Sequence, residues 1–147
     1  MTSENNRNNI AFALSKLNLD QFAIIEEAYD ENKDIGLVTG LQFGADIEKK
    51  GIKCTVRISF EQDESPFLIL VASNEYSIEQ AAWAALTRTD ENRLVLPKGF
   101  MAHLAMLTVG TVRGMLHVKT ENTKFNCYFL PTINVAEMIN EDVIFDI

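Results

Sequence analysis

Two segments with strict alternation of apolar and polar residues, placed one after the other, constrain the fold of this chain more than any other feature. In the first segment the apolar residues occupy odd positions: Leu37, Leu41, Phe43, Ala45 and Ile47. In the second they occupy even positions: Ile52, Cys54, Val56, Ile58 and Phe60. Because successive side chains of a strand point to opposite faces, these segments predict a β-hairpin with one apolar and one polar face.

The segments on either side of this hairpin extend it into a meander. Residues 48–51 (Glu-Lys-Lys-Gly) form a charged tip with the glycine that favours a tight turn. Residues 61–66 predict a second turn, and the apolar run from Phe67 to Ser73 is typical of a central or doubly covered strand. An antiparallel sheet with one apolar face must be covered by helices, a second sheet or another copy of the chain.

A long, bent first strand is predicted over residues 10–25. Its apolar residues change parity between Leu14 and Leu17, which indicates a bulge or a bend. A helix over residues 18–29 is the alternative interpretation. Residues 1–9 are polar and asparagine-rich, so we expect a flexible terminus without the apolar segment of a signal peptide. Residues 10–147 are then expected to form a single domain.

The second half of the sequence predicts helices. Residues 77–80 fit a capping box that would start a short helix over residues 81–86. A charged loop over residues 88–96 precedes Pro97, which suits the first turn of a long helix. Gly110 and Gly114 together cost that helix roughly 2 kcal/mol of propensity. We therefore expect tight packing against them, within or between subunits.

The end of the chain predicts an extended aromatic segment over residues 125–130 and a short helix from Asn134 to about Ile139. The fold class is therefore α+β. It comprises a four-stranded antiparallel sheet, built from the long bent first strand and a three-strand meander. A crossover, a long helix and a short C-terminal helix follow the sheet.

Composition and the lack of catalytic patterns argue against several functions. A net charge of −8 disfavours nucleic acid and anionic membranes as partners, and no apolar run is long enough to predict membrane insertion. Cys54 and Cys127 are expected to be buried, reduced thiols of a cytoplasmic protein. His103 and His117, about four helical turns apart, are too distant to share a metal ion. We therefore predict no enzyme, no metal and no cofactor.

Four short motifs, in order, carry a family resemblance. They are Pro66-Phe67 leading into a strand that ends at Tyr76-Ser77-Ile78, then Leu96-Pro97, Arg113-Gly114, and Leu130-Pro131-Thr132-Ile133-Asn134-Val135. Over residues 10–139 the chain resembles the SecB family of protein-export chaperones. It differs from the best-known members by the additional residues 125–130, by a shorter last helix, and by an apolar fourth strand where the export chaperones carry an acidic residue.

The resemblance implies an ATP-independent chaperone that binds unfolded polypeptides in apolar grooves between sheet and helices. It also implies a homo-oligomer, typically a dimer of dimers. The aromatic residues that would line the groove, each of which also has a simple explanation as core, are Phe12, Phe22, Phe43, Trp83, Phe100, Tyr128 and Phe129. The acidic residues that would dock a basic segment of an export motor, or else lie on a solvated edge, are Asp20, Glu26, Glu27 and Glu75.

Two other functions remain open. The same fold would serve as an adaptor for one dedicated partner, such as an antitoxin-like or secretion-linked segment. The concave face of the sheet would alternatively hold a small apolar ligand, for which an enclosed cavity is the expected feature.

Overall fold

The computed structural model describes residues 10–147. The predicted flexible terminus, residues 1–9, lies outside the described residues. The main sheet contains β1 (Phe12–Ile24), β2 (Gly36–Asp46), β3 (Gly51–Gln62) and β4 (Ser65–Ile78), all antiparallel, in the order β1-β4-β3-β2. The predicted α+β fold class, with its four-stranded sheet, is confirmed.

The register of the sheet places the alternating apolar residues on one inner face. Phe43 of β2 lies opposite Cys54 of β3, which lies opposite Asn74 of β4. The even residues of β3 from Ile52 to Phe60 are all buried. One face of the sheet therefore supplies the core, as the sequence pattern predicts.

The long first strand is bent at two bulges. Its register against β4 shifts between Leu14 and Lys16 and again between Leu19 and Gln21. The parity change in the sequence correctly marks the first shift, and the alternative helix over residues 18–29 is wrong. Only a short 3-10 turn, Glu26–Ala28, follows the strand.

The two hairpin turns form close to the predicted residues, 48–51 and 61–66, and differ from the expectation only in the roles of Gly51 and Pro66. In the first turn Lys50 has the left-handed conformation (φ 53°), while Gly51 is the first residue of β3. In the second turn Asp63 and Glu64 both have positive φ, 50° and 65°, which is the backbone of a two-residue hairpin loop. Pro66 is the second residue of β4 and lies outside that turn.

Three helices follow the sheet: α1 (Gln80–Leu86), α2 (Lys98–Lys119) and α3 (Val135–Met138). The predicted capping box is wrong because Ser77 and Ile78 still belong to β4, and Glu79 precedes α1 without a side-chain cap. The long helix α2 lies across β3 and β4. Its buried residues are Phe100, Met101, Leu104, Ala105, Thr108, Val109, Val112 and Leu116.

A second, small sheet was not predicted. The charged loop before Pro97 forms a hairpin of β5 (Thr87–Arg88) and β6 (Arg93–Leu96). The last strand, β7 (Val143–Asp146), pairs with β6, so the sheet order is β5-β6-β7. The extended segment predicted over residues 125–130 begins instead with a 3-10 turn, Lys124–Cys127.

Two further expectations have mixed outcomes in the described part of the chain. Apart from the helix's own backbone, no atom lies within 4 Å of where a Cβ would stand on Gly110 or Gly114, so the tight packing is absent within the subunit, and packing between subunits stays a prediction. Cys54 is buried as predicted, but Cys127 is exposed.

The helix α2 also meets a minimal test for a membrane-spanning segment, with a mean hydropathy of 1.2 over its most apolar window. Core helices that pack on a sheet pass the same test. Eight side chains of α2 are buried in the domain, so this feature is accounted for by the core.

Candidate functional site

The aromatic residues proposed as a groove lie in several separate parts of the molecule. Phe12 packs against Phe100, with ring centroids 5.5 Å apart, near the first turns of α2. Phe22 lies beneath the Lys119 ammonium, 5.4 Å away, at the other end of that helix. Trp83 is only 6% exposed. The structure thus brings together Phe12 and Phe100 and places Trp83 in the core, where it does not line an open groove.

The remaining aromatics lie on β2 and in the segment after α2. Phe43 is half-buried on β2 and packs against the core. Tyr128 belongs to an aromatic cluster with Tyr29, Phe60, Phe67 and Phe125. Its hydroxyl lies 2.9 Å from that of Tyr29, and burial together with this contact raises the pKa of Tyr128. Phe129, in contrast, is 65% exposed.

The four acidic residues do not form one patch. Asp20 and Glu75 lie on or near the outer face of the sheet, where Asp20 accepts hydrogen bonds from Ser73 and Asn18. Glu75 lies 4.0 Å from the Lys16 ammonium. Glu26 and Glu27 lie in the 3-10 turn after β1. The four carboxylates therefore lie on two different elements, the sheet and the 3-10 turn that follows β1.

Two of the sequence motifs are joined by hydrogen bonds. The Arg113 guanidinium donates from Nε to the carbonyl of Leu130 (2.8 Å) and from a terminal nitrogen to the carbonyl of Pro131 (2.9 Å). The chain after residue 130 is thereby held along α2. This contact gives the Arg113-Gly114 and Leu130-Pro131 motifs a structural reason for occurring together.

An open hollow lies between the first half of α2 and the segment that contains α3. It has a volume of about 330 Å³, and we call it the α2–α3 hollow. It is lined by Gly99, Ala102, His103, Met106 and residues 133–136. Met106 is 55% exposed. The sequence did not point to this site, because a methionine at a helical position usually belongs to the core.

A second apolar surface lies where β1 meets α2, and we call it the β1–α2 surface. It comprises Leu14, Leu17 and Leu19 of β1 with Leu107 and Val118 of α2, all at least a third exposed. Leu17 lies opposite Asn74 of β4, whose amide donates to Thr111 of α2 at 3.0 Å. The helix therefore runs beside β1 without covering its leucines.

A buried polar network lies under this surface. The Tyr76 hydroxyl lies 3.2 Å from the carbonyl of Leu104 and 2.9 Å from the Thr108 hydroxyl, and it accepts from the Asn74 amide at 3.0 Å. Burial raises the pKa of Tyr76 and raises that of Cys54 to about 11. A thiol with such a pKa is neutral at physiological pH, so Cys54 is a packing residue and not a nucleophile.

Two further hollows in the described part of the chain are open and lined mainly by polar or charged residues. One, of about 480 Å³, lies at the tip of the β2–β3 hairpin beside Lys16, Lys53 and Glu75. Another, of about 630 Å³, lies beside the loop that follows β1. Within residues 10–147, no group of three or more histidine, cysteine or acidic side chains is arranged to hold a metal ion.

Comparison with known proteins gives no family for this chain. No protein-family model matches the chain, and no curated protein matches it. The structure therefore defines a class of protein only, namely an α+β domain with a four-stranded antiparallel sheet, a long helix across it and two exposed apolar surfaces.

Proposed function

We propose that this protein is an ATP-independent chaperone that binds unfolded polypeptides. The proposal rests on one observation: the domain has a buried core, and many large apolar side chains nevertheless remain exposed on its surface. Thirteen large hydrophobic residues among residues 10–147 are exposed. Met106 lines the α2–α3 hollow, and Leu14, Leu17, Leu19, Leu107 and Val118 belong to the β1–α2 surface. Exposed apolar area of this kind is typical of sites that bind protein segments.

The α2–α3 hollow is the proposed site for the polypeptide. Met106 and Ile133 provide apolar contacts, and a methionine side chain adapts its shape to different partners. The open form of the hollow suits an extended chain that continues beyond it. Phe129, which precedes the carbonyls held by Arg113, would add an aromatic contact farther along α2.

The net charge and the resemblance to the SecB family add support. A charge of −8 keeps a protein with exposed apolar area in solution and favours clients with basic segments. Engagement of an export motor, assembly as a dimer of dimers and a cytoplasmic location are part of the same proposal. The scattered positions of Asp20, Glu26, Glu27 and Glu75 give no support to a single acidic docking patch.

The test is suppression of aggregation. A chemically unfolded client is diluted into buffer with increasing amounts of the pure protein, without nucleotide, and light scattering is followed. We expect protection at near-stoichiometric amounts. No protection of any of several unrelated clients would overturn the proposal.

A matched pair of variants locates the binding surface. Met106→Asp places a charge in the α2–α3 hollow, and Ile144→Asp places one on β7 at a residue of similar exposure, 52% against 55%. We expect Met106→Asp to lose most of the protection and Ile144→Asp to retain it. Equal loss or equal retention by the two variants would contradict binding in the hollow.

An adaptor for one dedicated partner is the second candidate. The restricted size of the hollow, about 330 Å³, favours a short, specific segment more than a long unfolded chain. An adaptor would protect one protein and leave unrelated clients to aggregate in the scattering assay. A small apolar ligand is less well supported, because the hollows described above are open to solvent and not enclosed.

A further inference from the structure

The methionines of the described chain differ widely in exposure. Met101 of α2 is 0% exposed, and Met115 of the same helix packs half-buried against the core. Met106, also on α2, is 55% exposed, and Met138 of α3 is 41% exposed. Because peroxides oxidise a thioether sulfur only where they can reach it, Met106 is the methionine of residues 10–147 most open to oxidation.

Met106 also lies where a change of polarity matters. Its side chain lines the α2–α3 hollow, the proposed site for a polypeptide, beside the small residues Gly99 and Ala102. Met138, the other exposed methionine, lies outside the residues that line this hollow. Oxidation of Met106 would therefore alter the site, whereas oxidation of Met138 would not.

Two hydrogen-bond donors line the same hollow. His103 precedes Met106 by three residues, so the two side chains share one face of α2, and the His103 ring meets Phe12 edge-on at 5.8 Å. On the opposite wall Asn134 precedes α3 without a side-chain hydrogen bond that caps it. A thioether is a weak acceptor for such donors, and a sulfoxide oxygen is a strong one.

We propose that Met106 is a modification site, at which oxidation by a peroxide closes the α2–α3 hollow to polypeptides. The thioether sulfur gives an electron pair to one peroxide oxygen, and the O–O bond breaks as the S–O bond forms. The transferred oxygen gives up its proton to the departing oxygen, which leaves as water. Sulfur is oxidised and the peroxide is reduced. This inference rests on the proposed function, because it makes polypeptide binding sensitive to oxidants.

The sulfoxide changes the hollow in two ways. Its oxygen is polar, and a client side chain that covers it without a hydrogen bond should bind roughly tenfold more weakly or worse. The same oxygen can accept from the Asn134 amide, which would join the two walls of the hollow across the space that a client needs. Both changes act against binding.

The modification is chemically reversible. A methionine sulfoxide reductase with a dithiol returns the sulfoxide to the thioether. The oxygen leaves as water, and the dithiol becomes a disulfide. Treatment of the oxidised protein with such a reductase should therefore restore the binding that peroxide removes.

The first experiment locates the oxidation and needs no client. It uses a Cys127→Ser background, which lacks the exposed thiol. The protein is treated with dilute hydrogen peroxide, and tandem mass spectrometry follows each methionine over time. We expect Met106 to gain one oxygen roughly tenfold or more faster than Met101. Equal rates at these two residues would overturn the proposal.

A second measurement reads the hollow itself. In an NMR spectrum of the side-chain amides, the Asn134 signal should shift when peroxide oxidises Met106. The matched variant is Met106→Leu, which keeps an apolar side chain of similar volume and has no sulfur. Its Asn134 signal should not respond to peroxide. A shift in both proteins, or in neither, would contradict a contact between the sulfoxide and the wall of the hollow.

A third measurement compares protection against aggregation before and after peroxide, with each variant judged against its own untreated sample. Oxidation should raise the amount needed for protection roughly tenfold in the Cys127→Ser protein and in Met138→Leu, and should have no effect in Met106→Leu. Equal loss in Met106→Leu, or no loss in the Cys127→Ser protein, would overturn the inference and leave the chaperone function standing. An untreated protein that protects no client would overturn both.

Discussion

Asp142 caps the long helix α2 from the far end of the chain. Its carboxylate Oδ1 accepts a hydrogen bond from the backbone N–H of Lys98 at 2.9 Å, across 44 residues of sequence. Pro97, which precedes the helix, has no polar side chain that could cap it. Because Asp142 directly precedes β7, this bond fastens the last strand to the start of the main helix.

Removing this cap should destabilise the fold. We expect Asp142→Ala to lower the free energy of unfolding by about 1 kcal/mol, the usual loss for an N-cap acceptor. Asp142→Asn, which keeps a hydrogen-bond acceptor at this position, should lower the free energy of unfolding by less. The measurement is urea denaturation, and Glu141→Ala is the control because it removes the same charge from an exposed neighbour. Equal stability of the two alanine variants would contradict the cap.

The contact of Arg113 with the chain after α2 predicts a larger effect. Arg113→Ala removes two hydrogen bonds from a charged donor to the carbonyls of Leu130 and Pro131, and should cost about 2 kcal/mol. Arg113→Lys should keep only part of the free energy of unfolding that Arg113→Ala loses, because an ammonium cannot donate in the geometry of the guanidinium fork. Limited proteolysis should show faster cleavage after residue 128 in the alanine variant.

Arg88 provides the control for that experiment. Its guanidinium makes one exposed hydrogen bond, to the nearby carbonyl of Ala85 at 3.0 Å. Arg88→Ala should therefore change stability by a few tenths of a kcal/mol at most. If Arg88→Ala lowers the free energy of unfolding as much as Arg113→Ala does, the hydrogen bonds from Arg113 to the carbonyls of Leu130 and Pro131 are not what stabilises the chain after α2.

The Cys54 thiol predicts a loss of stability in alkaline solution. Burial raises its pKa to about 11 from an ordinary value of 9.0, and a hydrogen bond with Thr108 opposes this in part. Below pH 9 the thiol is neutral in both the folded and the unfolded chain. As pH rises from 9 towards 11, the unfolded chain loses this proton and the folded chain keeps it, so unfolding becomes easier.

The contribution of Cys54 is isolated by its removal. The loss of unfolding free energy that ionisation of Cys54 causes should reach about 3 kcal/mol above pH 11. Cys54→Ala should therefore flatten the dependence of unfolding free energy on pH in this window, whatever its stability at pH 7. Tyr76, whose pKa is raised in the same direction, still contributes in both proteins. Cys127→Ala, at an exposed thiol, should leave the slope unchanged.

The open face of α2 predicts that glycine weakens the helix. No atom approaches a Cβ placed on Gly110, and its φ is not positive, so alanine fits there without strain. Gly110→Ala should raise the unfolding free energy by about 0.5–1 kcal/mol. The measurement is thermal or urea denaturation at low protein concentration. A loss of stability would instead show that another backbone approaches this position, as packing between subunits would require.

The strands of the main sheet were predictable because their signal is local. Alternation over residues 37–60 specifies which face of each strand is apolar, and the parity change near Leu14 marks a bulge without knowledge of its neighbours. The turn chemistry was less reliable. Lys50, not Gly51, takes the left-handed conformation, because the length of the loop decides which residue lies at the tip.

The candidate site was less predictable for a different reason. A side chain is exposed or buried according to what covers it, and that depends on distant parts of the chain. Trp83 was predicted to line a groove and is buried, whereas Met106, which no sequence pattern singled out, is exposed. The position of the chain held by Arg113 decides where the α2–α3 hollow opens, and no local pattern reports that contact.

By itself, the sequence determined the sheet, its apolar face and the long helix, because the 2-residue and 3.6-residue periods of apolar residues report burial directly. Only the tertiary structure decided that β7 completes a second sheet, that Asp142 caps α2 and that the leucines of β1 remain uncovered. Those features depend on contacts between residues far apart in sequence, where the chain closes over some apolar surfaces and leaves others open.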